Sequence, residues 1–162
     1  MFHRLSVLAL VFMLAACATG GRGGDLNSPD QGLSGVYSRQ MLLSDDVHHV
    51  LMGHVIVATR GDETIRALIV HQRRDGVHRL RYSTAWRNGI ELPYRSLAHR
   101  SGGCTHGHCR DFAVGMIALS PEMMHAGARS GLRARLIGPS GAIIIHAPPA
   151  LFSEALARAA EM

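Results

Sequence analysis

Four side chains of metal-ligating type fall within the six residues Cys104-Thr105-His106-Gly107-His108-Cys109, and His99 stands just upstream. Zinc takes thiolate sulfur and imidazole nitrogen in a tetrahedron, so the ligand types suit it. Copper(I) accepts the thiolates as well. The spacing suits less. Zinc sites that close a small fold usually draw two ligand pairs from distant parts of the chain. Four ligands this close together crowd a single ion. A metal reading names Cys104, His106, His108 and Cys109 as the ligands of zinc or copper.

Histidine is frequent, with eleven in the chain. His48, His49 and His54 cluster together. His48 and His54 are separated by an even number of residues, so they share a face of an unbroken strand. His71 and His78 flank Asp75-Gly76 and would face each other across a hairpin there. Metal binding and proton sensing are the chemistries such groups offer. Singly solvated or hydrogen-bonded histidines are the commoner outcome, and that is the reading preferred. Arg73 and Arg74 join Arg66, Arg79 and Arg81 in a basic stretch. Arg66, Arg79 and Arg81 are the candidates for a face that binds phosphate or carboxylate. A solvated sheet face is the simpler account of the same charges.

Support for catalysis is thin. The chain has no Gly-x-Ser-x-Gly elbow, no P-loop and no His-Glu-x-x-His. Asp45-Asp46 lies near His48 and His49, but adjacency in sequence is not a site. Ser120 reads as a helix cap rather than a nucleophile. Met123-Met124 reads as core rather than copper ligand.

The elements that must position these residues are mostly strands. Val50 to Thr59 is rich in branched apolar residues, and Ile65 to His71 is nearly all apolar, as a strand buried on both faces would be. Arg60-Gly61-Asp62-Glu63 turns between them. Val77 to Trp86 alternates, Asn88-Gly89 is a two-residue hairpin signal, and Ile90 to Leu97 returns. His99 to Arg110 reads as a polar break, and Phe112 to Leu119 as a further strand. Ser120-Pro121-Glu122 opens a helix with a hydroxyl cap, a proline at the first position and an acid at the positive end of the dipole. That helix stops near Gly131. Leu132, Ala134 and Leu136 alternate with Arg133 and Arg135, giving a strand with one dry face. Gly138-Pro139-Ser140-Gly141 turns the chain, Ile143 to Ile145 returns, and a last helix runs from about Pro149 to Ala160. The fold expected is α+β: an antiparallel meander of about six or seven strands, with two helices flanking a C-terminal hairpin.

The amino terminus addresses location. Arg4 gives a basic start, and Leu5 to Ala16 is twelve residues with only Ser6 polar. A spanning helix needs about 20 apolar residues, so this run is a secretory signal rather than a span. Leu14-Ala15-Ala16-Cys17 resembles the lipobox of bacterial lipoproteins, a resemblance confined to those four residues. It implies a diacylglycerol on the Cys17 thiol, cleavage before Cys17 and acylation of the new amine. Two or more acyl chains satisfy the requirement for stable anchoring. Ala18 follows, where an aspartate would favour inner-membrane retention. The expectation is therefore a lipid anchor in the cell membrane or outer membrane, with the periplasmic side of the outer membrane preferred. Ala18 to Gly35, glycine-rich and without apolar periodicity, reads as a tether. The organisation expected is a signal peptide over 1–16, a lipidated tether over 17–35 and one domain over 36–162.

If the resemblance holds, Cys104 and Cys109 are the even pair left in an oxidising compartment, and it implies a disulfide between them. The glycines around them let the two approach. This is preferred to zinc or copper. Net charge is +5, and all seventeen Lys/Arg residues are arginine. Nucleic acid is not the expected partner, because an exported chain rarely meets it and aromatics for stacking amount to only 5%. The function expected is a non-catalytic interaction or structural module of the cell envelope, partnered by the membrane and by an envelope protein. Periplasmic metal binding through the Cys104–Cys109 loop is the alternative.

Overall fold

The computed structural model describes residues 22–46, 49–75, 82–105, 108–139 and 141–162, with the backbone alone described at 31 and 49 and over 45–46, 72–75, 98–105 and 108–113. The chain forms two antiparallel sheets and two helices. In order, the strands are β1 (Gly24–Ser28), β2 (Leu33–Tyr37), β3 (Met41–Asp46), β4 (His49–Arg60), β5 (Glu63–Asp75), β6 (Thr84–Arg87), β7 (Ile90–Leu92), β8 (Tyr94–Thr105), β9 (His108–Ala118), β10 (Leu132–Gly138) and β11 (Gly141–Ala147). Helix α1 (Pro121–Ser130) precedes the β10–β11 hairpin and α2 (Pro149–Ala159) follows it. The α+β class, the meander and the two flanking helices agree with the sequence pattern.

The large sheet has seven strands in the order β1-β2-β4-β5-β9-β8, with β3 also pairing β4. The small sheet runs β11-β10-β6-β7. β2 and β3 share one edge of β4: β2 pairs with residues 56–60 and β3 with residues 49–53. Ser38 fills the break between them. It is a buried polar residue, and its hydroxyl accepts from the Val55 amide at 3.0 Å and donates to the Arg39 carbonyl at 3.2 Å. The ladder is thus continued by a side chain where the strand is interrupted, so the Val55 amide keeps a partner there.

The core lies between the inner face of the large sheet and a second layer made of the small sheet and both helices. Leu51, Val55 and Val57 of β4, with Leu68 and Val70 of β5 and Ile117 of β9, meet Leu136 and Ile145 of the small sheet and Met124, Leu151 and Phe152 of the helices. Alternation dictates the choice on β4 and β10, since successive side chains point to opposite faces. Ala67, Leu68, Ile69 and Val70 are all buried, which fits the unbroken apolar run read for that strand. Met124 is fully buried in the core. Ser120 caps α1, accepting from the Met123 amide at 3.2 Å.

The structure departs from the expectation in three places. The tether does not extend to Gly35, because Gly24–Ser28 and Leu33–Tyr37 pair as a hairpin. An edge strand is held by backbone bonds more than by burial, so its sequence carries little apolar signal. Residues 99–105 and 108–110, read as a polar break, belong to β8 and β9. Of the strand read over Val77 to Trp86, residues 77–81 lie outside the described residues, and β6 covers only Thr84–Arg87. Asn88-Gly89 does make the β6–β7 hairpin, with φ of 49° and 81°, as a turn with two positive φ values requires.

Gly23 is buried where the described chain enters the fold. A Cβ there would stand 2.5 Å from the Tyr37 carbonyl oxygen and 2.6 Å from Glu154 Oε1. Glu154 is also held by Arg39, whose Nε donates at 2.6 Å, and lies 3.7 Å from Arg158. Burial alone would raise the Glu154 pKa, but the bonds from Arg39 and the charges of Arg39 and Arg158 outweigh it and hold the carboxyl below its usual range. Arg39 is largely exposed, so Arg39→Ala is expected to cost about 1 kcal/mol or less, read as a small fall in urea midpoint with unchanged slope.

Candidate functional site

The built constellation on the large sheet is a histidine pair on its outer face. The β4–β5 hairpin closes on Arg60 and Glu63, and its register sets Met52 opposite His71 and His54 opposite Ile69. Directly opposed residues share a face, so His54 and His71 are diagonal neighbours on one side. His71 Nε2 and His54 Nδ1 are 3.0 Å apart. The rings stack at 4.9 Å with planes 26° apart, and Tyr37 meets His54 edge-on at 5.8 Å.

Burial, and then the neighbouring His71, lowers the His54 pKa to about 4. Burial also lowers that of His71. Both rings are therefore neutral near neutral pH, and one ring N–H donates to the lone pair of the other. Such a pair can pass a proton between rings or offer two nitrogens to a soft cation. Among the described residues no group of three His, Cys, Asp or Glu side chains could hold a metal ion.

The expected pairings of His48 with His54 and of His71 with His78 cannot be compared, because His48 and His78 lie outside the described residues. The pairing that does occur, His54 with His71, was missed by that reading.

Cys104 and Cys109 are direct backbone partners in the β8–β9 ladder, and Thr105 pairs His108. His106 lies outside the described residues. Paired residues in an antiparallel ladder have Cα atoms about 4.5 or 5.5 Å apart, and both values suit a disulfide.

Of the expected basic face, Arg79 and Arg81 lie outside the described residues. Arg66 sits on β5, half-buried, and its carbonyl accepts from the Leu119 amide at 2.8 Å. Its charge acts on Glu122 at the start of α1. The arginines that the fold does gather are others: Arg87, Arg133 and Arg135, around Trp86 on the outer face of the small sheet. The alternation along β10 sets Arg133 and Arg135 on one wet face, but no local pattern joins them to Trp86 and Arg87, because β6 and β10 are far apart in sequence.

No protein-family model, no curated protein and no solved structure matches the chain. Among the described residues, no helix is long and apolar enough to cross a membrane.

Proposed function

We propose that the chain is a membrane-anchored lipoprotein of the cell envelope, and that its folded domain is a non-catalytic interaction module held close to the bilayer. The outer membrane, periplasmic side, is the preferred location. Its partners are the membrane, through the anchor, and an envelope protein, rather than nucleic acid.

The observation that carries the reading is how near to Cys17 the described chain is already packed into the fold. Gly23 is packed beneath Glu154 and Arg158, only six residues beyond Cys17. A fully extended chain covers about 3.3–3.6 Å per residue, so six residues reach roughly 20 Å. An acylated Cys17 would therefore keep the domain at the membrane surface rather than at the end of a long leash. The backbone pairing of Cys104 with Cys109 supports a disulfide over zinc or copper for that loop, since Cα atoms paired in an antiparallel ladder lie at a separation that a cystine spans.

Mass spectrometry of protein purified from membranes tests the reading. The expected product begins at Cys17, carries acyl chains, and has no thiol to label at Cys104 or Cys109 until it is reduced. An unmodified chain beginning at Met1 would remove the anchor. Two labelled thiols with stoichiometric zinc or copper would replace the disulfide with the metal site.

A further inference from the structure

The outer face of the small sheet carries a row of three residues from three strands. Arg135 of β10 is the direct partner of Trp86 on β6 and of Ile144 on β11. The alternation that buries Leu132, Ala134 and Leu136 turns Arg133 and Arg135 outward on the same strand. Arg87 and Asn88 close one end. Together they line an open groove of about 140 Å³.

The charges in this groove are unbalanced. Among the described residues the ion pairs are those of Glu154 with Arg39 and Arg158, and none involves Arg87, Arg133 or Arg135. Glu91 is the carboxylate nearest in register, as the partner of Trp86 on β7, and it is exposed. His146 is the partner of Arg133 and brings another nitrogen base to the same face. Like charges held side by side on a sheet repel. A bound anion relieves that repulsion.

We propose that this groove binds a phosphate group. A guanidinium fork offers paired N–H donors to two oxygens of a phosphate. Phosphate carries enough negative charge and enough oxygens to engage more than one such fork. Two strands, rather than loops, carry the three arginines, which limits the entropy lost on binding. The flat indole of Trp86 and the exposed Ile144 lie on either side of Arg135. They give an apolar wall to whatever bears the phosphate. Phosphate on a lipid headgroup and free phosphate share this chemistry. The proposal does not rest on the lipid anchor.

Trp86 is the single tryptophan of the chain, so its emission reports on this groove alone. The full-length protein is titrated with inorganic phosphate and, separately, with dihexanoyl phosphatidic acid below its micellar range, against chloride at matched ionic strength. A saturable change in emission is expected with a phosphate ligand and not with chloride. Arg133→Ala and Arg135→Ala should each weaken binding at least about tenfold, as loss of a charge-assisted hydrogen bond does. Arg129→Ala on α1 should leave it unchanged. Tighter binding of the lipid by tenfold or more identifies a headgroup, and equal affinities identify free phosphate. Thermal unfolding of each variant confirms that it folds, and Arg135→Gln serves if Arg135→Ala does not. No saturation with either ligand, or equal affinity in the wild type and both groove variants, would overturn the proposal.

Discussion

Phe152→Ala is expected to lower the unfolding free energy by about 3–5 kcal/mol, the range for removing a fully buried aromatic ring. Phe152 is fully buried and, among the described residues, is the largest of the fully buried side chains. Its ring packs against Gly127 of α1, beside a bond from the Ser153 hydroxyl of α2 to the Ala128 carbonyl of α1 at 3.4 Å. A Cβ on Gly127 of α1 would stand 2.5–2.7 Å from three of its ring atoms, so the helices approach as closely as they do only because Gly127 has no side chain. The loss is a large share of the roughly 5–15 kcal/mol that holds a domain of this size together. Urea unfolding at neutral pH measures it. A loss below about 1.5 kcal/mol would mean that the second layer closes over the cavity and that the ring is not the keystone of the helix pair. Gly127→Ala should itself destabilise, by forcing the ring aside. In the double variant that clash is gone, so the combined loss should be smaller than the sum of the two single losses.

The second large effect is a loss of stability in acid that depends on His54. In the unfolded chain its pKa is near the ordinary 6.5, and in the fold it is about 4. Above pH 6.5 neither state carries the proton, and the fold has its full stability. As pH falls from 6.5 towards 4, the unfolded chain binds a proton that folded His54 refuses, so the balance shifts towards unfolding. Allowing for the partial exposure of the ring, about 2 kcal/mol should disappear between about pH 7 and about pH 4. His71, lowered in the same sense, adds to the loss. Carboxylates also titrate there, so the measurement is a difference. Stability curves of wild type and His54→Leu are taken by urea unfolding across that range, and wild type should lose about 2 kcal/mol relative to the variant as pH falls from about 7 to about 4. Parallel curves would show that His54 is as easily protonated in the fold as out of it.

Much of this pair is legible in the sequence. The turn at Arg60-Gly61-Asp62-Glu63 was recognisable from its residues, and a hairpin closed there on Arg60 and Glu63 has only one register. Counting back from the turn sets His71 opposite Met52, two pairs from the His54–Ile69 pair and so on the same face as His54. The miss came from reading the histidines by nearness in sequence, not by counting through the hairpin. The opposition of Cys104 and Cys109 follows from the same kind of count. Helix α1 was legible because its signals are local: Ser120, Pro121 and the stop at Gly131 act within a few residues. The separation of β6, β7, β10 and β11 into a sheet of their own was not legible. It depends on Arg135 finding Trp86 across a long chain separation, and no residue type encodes that choice. Strand β1 was hidden for another reason. Asp25, Asn27 and Ser28 look like linker residues, yet an edge strand needs only free amides and carbonyls to pair.

That edge strand leaves the body of the protein on a zipper. Among the described residues β1 has one neighbour, β2, and it is the first described element beyond the proposed attachment point. Local opening of such an edge costs far less than global unfolding. For a chain held at Cys17, releasing residues 23–32 would pay out ten more residues, roughly 33 Å of extra reach at about 3.3 Å each. The height of the domain above the bilayer would then be an equilibrium rather than a fixed length, set by how firmly one short hairpin stays shut under load.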